Sequence, residues 1–197
     1  MLHYTTNSAR VGTDELMLLD AGCEVDGYTA DVTRCFPATG RFTTAQRELY
    51  EVVLAAQLAG CEQVAPGNGF HSVHDVTTAK LIEGMIGIGM LSGSVEEALE
   101  SDSYRRWYMH RSGHWLGLDV HDVGSYYVNG VDSRPLEPGM VLTVEPGIYV
   151  RADDTEAPER FRGIGIRIED DLLVTADGHE NFNAAIPKTI DDVEAAR

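Results

Sequence analysis

Asp20 and Asp31 are the first side chains in this sequence whose types and spacing could bind a cation. Aspartate is disfavoured in β-strands, yet both residues lie in a predicted hairpin, in which an apolar run at 16–19 and a returning strand at 28–36 flank an Asp-Gly turn. A two-residue turn makes the two aspartates diagonal neighbours on one face, about 7–8 Å apart at the backbone. Carboxylates at this spacing reach a common cation. Two solvated side chains at a sheet edge are the alternative, and the hairpin alone favours neither.

A second group of candidate ligands is the segment at 108–124, which contains His110, His114 and His121 between glycines and apolar residues. Neutral imidazole binds Zn, Mn, Fe or Co, and histidine also donates protons or hydrogen bonds. The i, i+4 spacing of the first two histidines does not indicate a zincin, because Arg111 replaces the required glutamate and Gly113 weakens a helix. The histidines that lack such neighbours, and are therefore predicted to lie at the surface, are His71, His74 and His179.

Two glutamates lie in strand-like segments in the last third of the chain. Glu145 lies within the otherwise apolar VLTVEPG, and Glu169 ends the alternating segment IGIRIE. The alternation directs Ile166 and Ile168 to the core. Arg167 and Glu169 then share the other face, where a weak exposed ion pair is the alternative interpretation.

These segments together provide four carboxylates and one imidazole. Such a set suits two hard or borderline divalent ions, such as Mn²⁺. The candidate metal ligands are Asp20, Asp31, His114, Glu145 and Glu169.

The charge balance limits the classes of partner. Lys and Arg total 15 and Asp and Glu total 32, so the formal charge is −17, and we expect neither a nucleic-acid nor a membrane partner because both are polyanions. No apolar run reaches the length of a membrane span, and the first residues lack the apolar core of a signal peptide. The three cysteines are odd in number and lack zinc-binding spacing, which is typical of buried thiols in a reducing compartment. We therefore expect a cytoplasmic protein.

The order of the predicted elements favours a single α+β domain over residues 1–197. After the hairpin, the predicted helices cover about 44–61, 72–90 and 94–107. Thr43 and Gln46 form a capping box at the start of the first helix. After the helices, one strand is predicted at about 140–150 and one or two strands at about 165–175. Strands first, helices next and strands last indicate a mostly antiparallel sheet.

Four segments resemble the pita-bread metallopeptidases of family M24, which include aminopeptidase P, prolidase and methionine aminopeptidase. They are LLDAGCEVDGYTADVTRCFP, HWLGLDVHDVG, LEPGMVLTVEPGIYV and RGIGIRIEDDLLVT. The resemblance covers essentially the whole chain, is closest to aminopeptidase P, and implies a curved, mostly antiparallel sheet covered by helices. In this family, a helix, further strands and a separate N-terminal domain precede the segment around His3. The resemblance therefore also implies that the first part of the catalytic domain and the N-terminal domain are missing here.

The resemblance implies how the ligands would be divided between two metal ions. Asp20 would bind one ion, and His114 and Glu145 would bind the other. Asp31 and Glu169 would bridge the two ions.

The resemblance also implies the roles of the residues around the metals. Glu145 would carry a proton toward the leaving proline nitrogen. His121 and His110 match positions that contact the substrate and stabilise the tetrahedral intermediate, and His3 matches a further active-site histidine. Arg167 would orient Asp20.

The activity implied is hydrolysis of the bond between an N-terminal residue and a proline in the second position, by a metal-activated water. The implied cofactors are two divalent ions, Mn²⁺ first, with Zn²⁺, Co²⁺ or Fe²⁺ as alternatives. The implied substrates are peptides with proline at the second position, and the family is compatible with a homo-oligomer. The alternatives are a prolidase, which cuts only dipeptides, and an inactive truncated chain or a binding module of the same fold.

Overall fold

The acidic hairpin forms with the predicted register in the computed structural model, which describes residues 3–196. Its strands are β1 (Leu16–Ala21), β2 (Glu24–Val25), β3 (Tyr28–Thr29) and β4 (Val32–Pro37). Val25 faces Tyr28 across the turn, and Asp20 pairs with Thr33. The Asp-Gly pair at the tip has φ angles of 52° and 87°, which are the two positive values that a type I′ turn requires. The predicted register is therefore confirmed.

Three helices follow the hairpin in the predicted order, and a fourth, which was not predicted, follows the last strand. They are α1 (Thr44–Glu62), α2 (Phe70–Gly87), α3 (Val95–Glu100) and α4 (Ile190–Ala195). The capping box of Thr43 and Gln46 is present at the start of α1. The prediction for α2 was wrong by two residues at its start, because Ser72 does not cap the helix and its hydroxyl instead donates to the carbonyl three residues earlier. The helix predicted at 94–107 stops at the end of α3, since Asp102 adopts a left-handed conformation with φ 55°.

The strand predicted at 140–150 is divided in two, the segment predicted at 165–175 forms two strands, and the short strands at 127–128, 132–133 and 179–181 were not predicted. The strands are β5 (Tyr127–Val128), β6 (Asp132–Ser133), β7 (Val141–Val144), β8 (Gly147–Tyr149), β9 (Gly165–Arg167), β10 (Asp170–Val174) and β11 (His179–Asn181). Glu145 and Pro146 separate β7 from β8, and proline has no N–H to continue a ladder. The Glu145 N–H donates to the Ser112 carbonyl at 2.8 Å, and the Glu169 N–H donates to the Thr33 carbonyl at 3.1 Å. At the break between β7 and β8 and at the break between β9 and β10, the backbone N–H therefore donates to a segment outside the strand pairs on either side.

The strand pairs within residues 3–196 are all antiparallel: β1 with β4, β2 with β3, β5 with β6, β8 with β9, and β10 with both β7 and β11. The histidine-rich segment extends this sheet beside β7. The Thr143 N–H donates to the His114 carbonyl at 2.9 Å, and the Leu116 N–H donates to the Val141 carbonyl at 3.1 Å. The predicted α+β class with a mostly antiparallel sheet is confirmed.

The main core lies where α1 and α2 pack against β8 and β9. Leu49 and Val53 of α1, Ile82 of α2, and Ile148 and Ile166 of the strands are all fully buried. Each such side chain contributes about 1.5–3 kcal/mol relative to an exposed one. This packing fixes the strands whose ends carry the two glutamates. Within residues 3–196, no helix combines the length and apolar character needed to cross a bilayer.

Candidate active site

One cavity of about 550 Å³ collects the candidate residues from four separate segments. The acidic hairpin, the histidine-rich segment, the break between β7 and β8, and the β9–β10 region all reach it. Its carboxylates are Asp20, Asp31, Glu145 and Glu169. These four are the carboxylates that the sequence predicts as metal ligands, so the fold brings together residues up to 149 positions apart.

The centre of this cavity is the imidazole of His114. Its Nε2 lies 3.6 Å from an Asp31 carboxylate oxygen and 3.7 Å from a Glu145 carboxylate oxygen. One ligand atom each from Asp31, His114 and Glu169 lie within 4.8 Å of one another. Three different segments thus place their ligand atoms close enough to contact one ion.

The orientation of the His114 ring is fixed by its other nitrogen. Nδ1 lies 3.0 Å from the Trp115 carbonyl oxygen, and a neutral ring must donate its single N–H there. Nε2 therefore carries the lone pair that faces the carboxylates, as a metal ligand requires. The His114 backbone N–H also donates to the Thr143 hydroxyl at 3.1 Å, which holds the ligand beside β7.

Gly113 allows the segment to approach β7 closely. A Cβ atom at this position would overlap the backbone carbonyl of Thr143. We expect Gly113→Ala to displace His114 from the strand and to weaken Mn²⁺ binding by about 10–100-fold, the range typical of disturbed ligand support. Isothermal calorimetry measures this, with Gly87→Ala as the control, because a Cβ at Gly87 meets no atom within 4 Å. Equal Mn²⁺ affinities in the two variants would contradict the prediction.

Arg167 connects Asp20 with the buried side of the site. Its guanidinium donates to the Asp20 carboxylate, to the Tyr149 hydroxyl at 3.2 Å and to the Thr33 hydroxyl at 3.0 Å. The Thr33 hydroxyl donates in turn to Glu169 at 2.6 Å. The side chains of Arg167 and Glu169 are 4% and 2% exposed, so the alternative of an exposed ion pair on this face is wrong.

The remaining predicted histidines also lie in or at the cavity. His110 Nδ1 donates to the Arg111 carbonyl at 2.7 Å, so its Nε2 accepts from the Tyr149 hydroxyl at 2.9 Å. His121 is exposed and packs edge-on against the His114 ring, with centroids 4.4 Å apart. His3 is exposed and lines the cavity.

The electrostatics of the cavity favour a bound cation. Burial raises the pKa of Glu145 to about 7, and the nearby carboxylates of Asp31 and Asp20 contribute to the rise. Burial, followed by Glu145 and Asp31, also raises the pKa of Glu169 well above its ordinary value. Burial alone would raise the pKa of Asp31, but hydrogen bonding with His114 lowers it. Because neighbouring carboxylates repel one another when all are ionised, the cluster alone favours protonation. A divalent cation among them would offset this repulsion.

The sequence prediction was wrong for His71 and His74. Both are half-buried and line the cavity, and His74 Nδ1 lies 2.9 Å from the Ser112 hydroxyl. Their i, i+3 spacing on α2 was the only local signal that they share a face. His179 is exposed, as predicted.

Asp171 is a further residue that the sequence did not single out. Its carboxylate accepts a hydrogen bond from the Asp31 N–H at 3.0 Å and thereby holds the backbone of a proposed ligand. Burial raises the pKa of Asp171 to about 6. Because this contact joins residues 140 positions apart, no local pattern could have shown it.

An antiparallel α+β fold that gathers carboxylates and one correctly oriented imidazole around a cavity has the ligand types of a divalent-metal site. The sequence profile of metallopeptidase family M24 matches residues 1–176. The chain belongs to this family.

The most informative relatives are bacterial. The chain is 49% identical to the Xaa-Pro aminopeptidase of Haemophilus influenzae and covers 44% of that protein. It is 47% identical to the Xaa-Pro aminopeptidase of Escherichia coli and again covers 44% of it. In these two comparisons 98% and 99% of the present chain is matched. The chain therefore spans less than half the length of the curated relatives it matches.

Solved structures agree with the fold. The Pseudomonas aeruginosa aminopeptidase PepP superposes with a TM-score of 0.96 at 48% identity, over 98% of this chain and 44% of that one. A variant of Escherichia coli aminopeptidase P in complex with substrate superposes with a TM-score of 0.94 at 46% identity, over 99% of this chain and 44% of that one. The predicted pita-bread fold is confirmed.

Proposed function

We propose that this chain is the catalytic part of a metal-dependent aminopeptidase, which hydrolyses the bond between an N-terminal residue and a proline in the second position. The observation that carries the proposal is the convergence of four carboxylates and the His114 imidazole in one cavity. The similarity to Xaa-Pro aminopeptidases over nearly the whole chain supports the substrate class.

The residues present fit a pair of divalent ions. The donors are carboxylate oxygens and one neutral imidazole nitrogen, a set that suits Mn²⁺ and also accepts Zn²⁺, Co²⁺ or Fe²⁺. We assign Asp20 to one ion, His114 and Glu145 to the other, and Asp31 and Glu169 to both. When bound, the ions would supply an activated water and would polarise the scissile carbonyl.

The protein residues would bind, orient and move protons around that centre. Glu145, whose carboxylate lies 3.7 Å from His114 Nε2, would take up a proton and pass it to the leaving nitrogen. The Arg167 guanidinium would hold the Asp20 carboxylate in place. His110 would present its ring to the substrate from a position fixed by Tyr149. His3, at the edge of the cavity, would contact the substrate.

Proline specificity would depend on the mouth of the cavity. A proline nitrogen has no N–H, and its ring fixes φ, so a pocket that packs on the ring selects this residue. The exposed ring of His121 lies directly against His114 and would form one side of that pocket.

We expect His121→Ala to lower kcat on an Xaa-Pro-Xaa peptide by about 10²-fold, while Mn²⁺ affinity stays unchanged. The reason is that His121 packs on the ligand His114 without serving as a ligand itself. Steady-state kinetics and calorimetry on the same preparation measure both quantities, with His179→Ala as the control on an exposed histidine. A parallel loss of Mn²⁺ affinity would place His121 among the metal ligands.

The experiment that tests the proposed function is an assay of Xaa-Pro-Xaa hydrolysis with added Mn²⁺, with and without a chelator. Release of the N-terminal residue only when the metal is present supports the proposal. Hydrolysis of Xaa-Pro dipeptides but not of tripeptides would establish the prolidase alternative. A folded chain that binds no metal and releases no residue would favour the binding-module alternative.

Three finer assignments complete the proposal. A cytoplasmic location rests on the free thiols of Cys23, Cys35 and Cys61, which suit a reducing compartment. The single domain at 1–197 and a homo-oligomer stay predictions, and residues 1, 2 and 197 lie outside the described part of the chain.

A further inference from the structure

The cavity has a basic side as well as an acidic one. Arg111, His71 and His74 line it, and we call these three residues the basic wall. Among residues 3–196, the carboxylates that line the cavity all belong to the proposed metal set, so none of them is left over to neutralise the basic wall. This is unexpected in a chain whose formal charge is −17.

Arg111 is the key residue of the basic wall. Within residues 3–196, its guanidinium makes no hydrogen bond or ion pair with another side chain or carbonyl. Every other arginine of this range except Arg10 donates to a protein oxygen. Arg111 also lies between the main cavity and a smaller one of about 200 Å³.

Two further observations describe the histidines on this side of the cavity. The Nδ1 atom of His71 is buried and has no hydrogen-bond partner among the described residues. The pKa of His74 is lowered to about 4, first by burial and then by the nearby bases Arg111, His71 and Arg105. His74 is therefore neutral near pH 7, and the fixed positive charge of the basic wall is that of Arg111.

The distance from the proposed metal centre suits a short peptide. Arg111 is three residues from His114, so their Cα atoms are at most about 11 Å apart. Two extended residues beyond the scissile bond span about 7 Å, which leaves the end of a tripeptide within reach of an arginine side chain. A guanidinium is the protein group best matched to a carboxylate.

We propose that the basic wall, through Arg111, binds the C-terminal carboxylate of a short peptide substrate. The inference rests on the proposed function and adds to it a preference for short Xaa-Pro peptides with a free C-terminal carboxylate. A substrate would then lie with its N-terminus and scissile bond at the carboxylate cluster and its C-terminus at Arg111.

The test compares a free-acid Xaa-Pro-Xaa tripeptide with its C-terminal amide. Binding is measured by calorimetry with Mn²⁺ in a Glu145→Gln background, so the result does not depend on turnover, and KM is measured separately in the active chain. We expect the acid to bind about fivefold more tightly than the amide, the scale of an exposed ion pair. Arg111→Met is expected to abolish this preference by weakening acid binding alone, and Arg111→Lys to retain part of it.

The matched control is Arg41→Met, which removes the same charge from a side chain that is 79% exposed and paired with Glu194. It is expected to leave the acid preference intact. An equal affinity for acid and amide before any change at Arg111, or an unchanged preference in Arg111→Met, would overturn the inference. If the chain binds the free acid more tightly than the amide but hydrolyses neither peptide, the proposed function is contradicted and the carboxylate site is supported.

Discussion

Glu145→Gln is expected to lower kcat on an Xaa-Pro-Xaa peptide by about 10²–10⁴-fold, the usual contribution of a general acid–base group. Glutamine keeps the size of the side chain and one ligand oxygen, but it cannot take up and release a proton. The Glu145 carboxylate lies 3.7 Å from His114 Nε2 within the proposed metal set, and the proposed function assigns proton transfer to it. Steady-state kinetics at saturating Mn²⁺ measures the effect.

The control for this substitution is Glu137→Gln, at an exposed position in the turn before β7. It removes the same charge and is expected to leave kcat unchanged. Because Glu145 is also a proposed ligand, metal content must be determined on the same sample. A Glu145→Gln chain that retains most of its activity with full metal content would assign proton transfer to another group.

Arg34→Met is expected to lower the free energy of unfolding by about 3–5 kcal/mol, the cost of breaking a buried ion pair. Arg34 donates to Asp170 at 2.7 Å, and the two side chains are 9% and 0% exposed. Lys188, at 2.6 Å, would then be the remaining charged partner of the buried carboxylate, beside the side-chain amides of Gln57 and Asn181. Arg34 also donates to the Glu169 carbonyl at 2.6 Å, so its loss loosens the backbone that carries a proposed ligand.

Urea denaturation without added metal measures this loss. Arg41→Met removes an exposed arginine from its pair with Glu194 and is expected to cost at most about 1 kcal/mol. Losses of similar size in the two variants would show that the Arg34–Asp170 pair adds nothing beyond a surface interaction.

The same ion pair predicts how stability depends on pH. Burial alone would raise the pKa of Asp170, but Arg34 and Lys188 lower it below the ordinary value. A carboxyl whose folded pKa is depressed contributes stability above its unfolded pKa of about 4 and loses it as the pH falls through the folded pKa. In Arg34→Met the pKa of Asp170 is expected to be less depressed, so the free energy of unfolding falls less as the pH is lowered. Unfolding curves of the parent chain and of Arg34→Met between neutral pH and about pH 3 measure this difference.

The parts of the fold that follow from local sequence were predictable. The Asp-Gly turn and its flanking apolar runs determine the hairpin register, and Asp20 does pair with Thr33. The capping box of Thr43 and Gln46 places the start of α1. The segments that carry Glu145 and Glu169 were recognised as strands, but their breaks depend on hydrogen bonds to distant segments.

The parts of the site that depend on tertiary packing could not be predicted. His71 and His74 are ordinary polar residues of a helix in sequence, and only the packing of α2 beside Ser112 brings them to the cavity. Arg167 and Glu169 alternate with isoleucines, a pattern that predicts an exposed polar face. In the fold, both side chains instead contact Thr33 and are buried. The roles assigned to the site residues from the family resemblance stay predictions until variants are measured.

The assembly of the cavity from four segments has a consequence for how the protein folds. The acidic hairpin is local, but the contact of Arg167 with Asp20 closes a separation of 147 residues, and that of Thr33 with Glu169 closes one of 136. Contacts of such long range form slowly, since their loop entropy must be overcome first. A refolding intermediate with its helices and hairpin in place would therefore lack metal affinity, and metal uptake would follow the last step of refolding rather than the recovery of secondary structure.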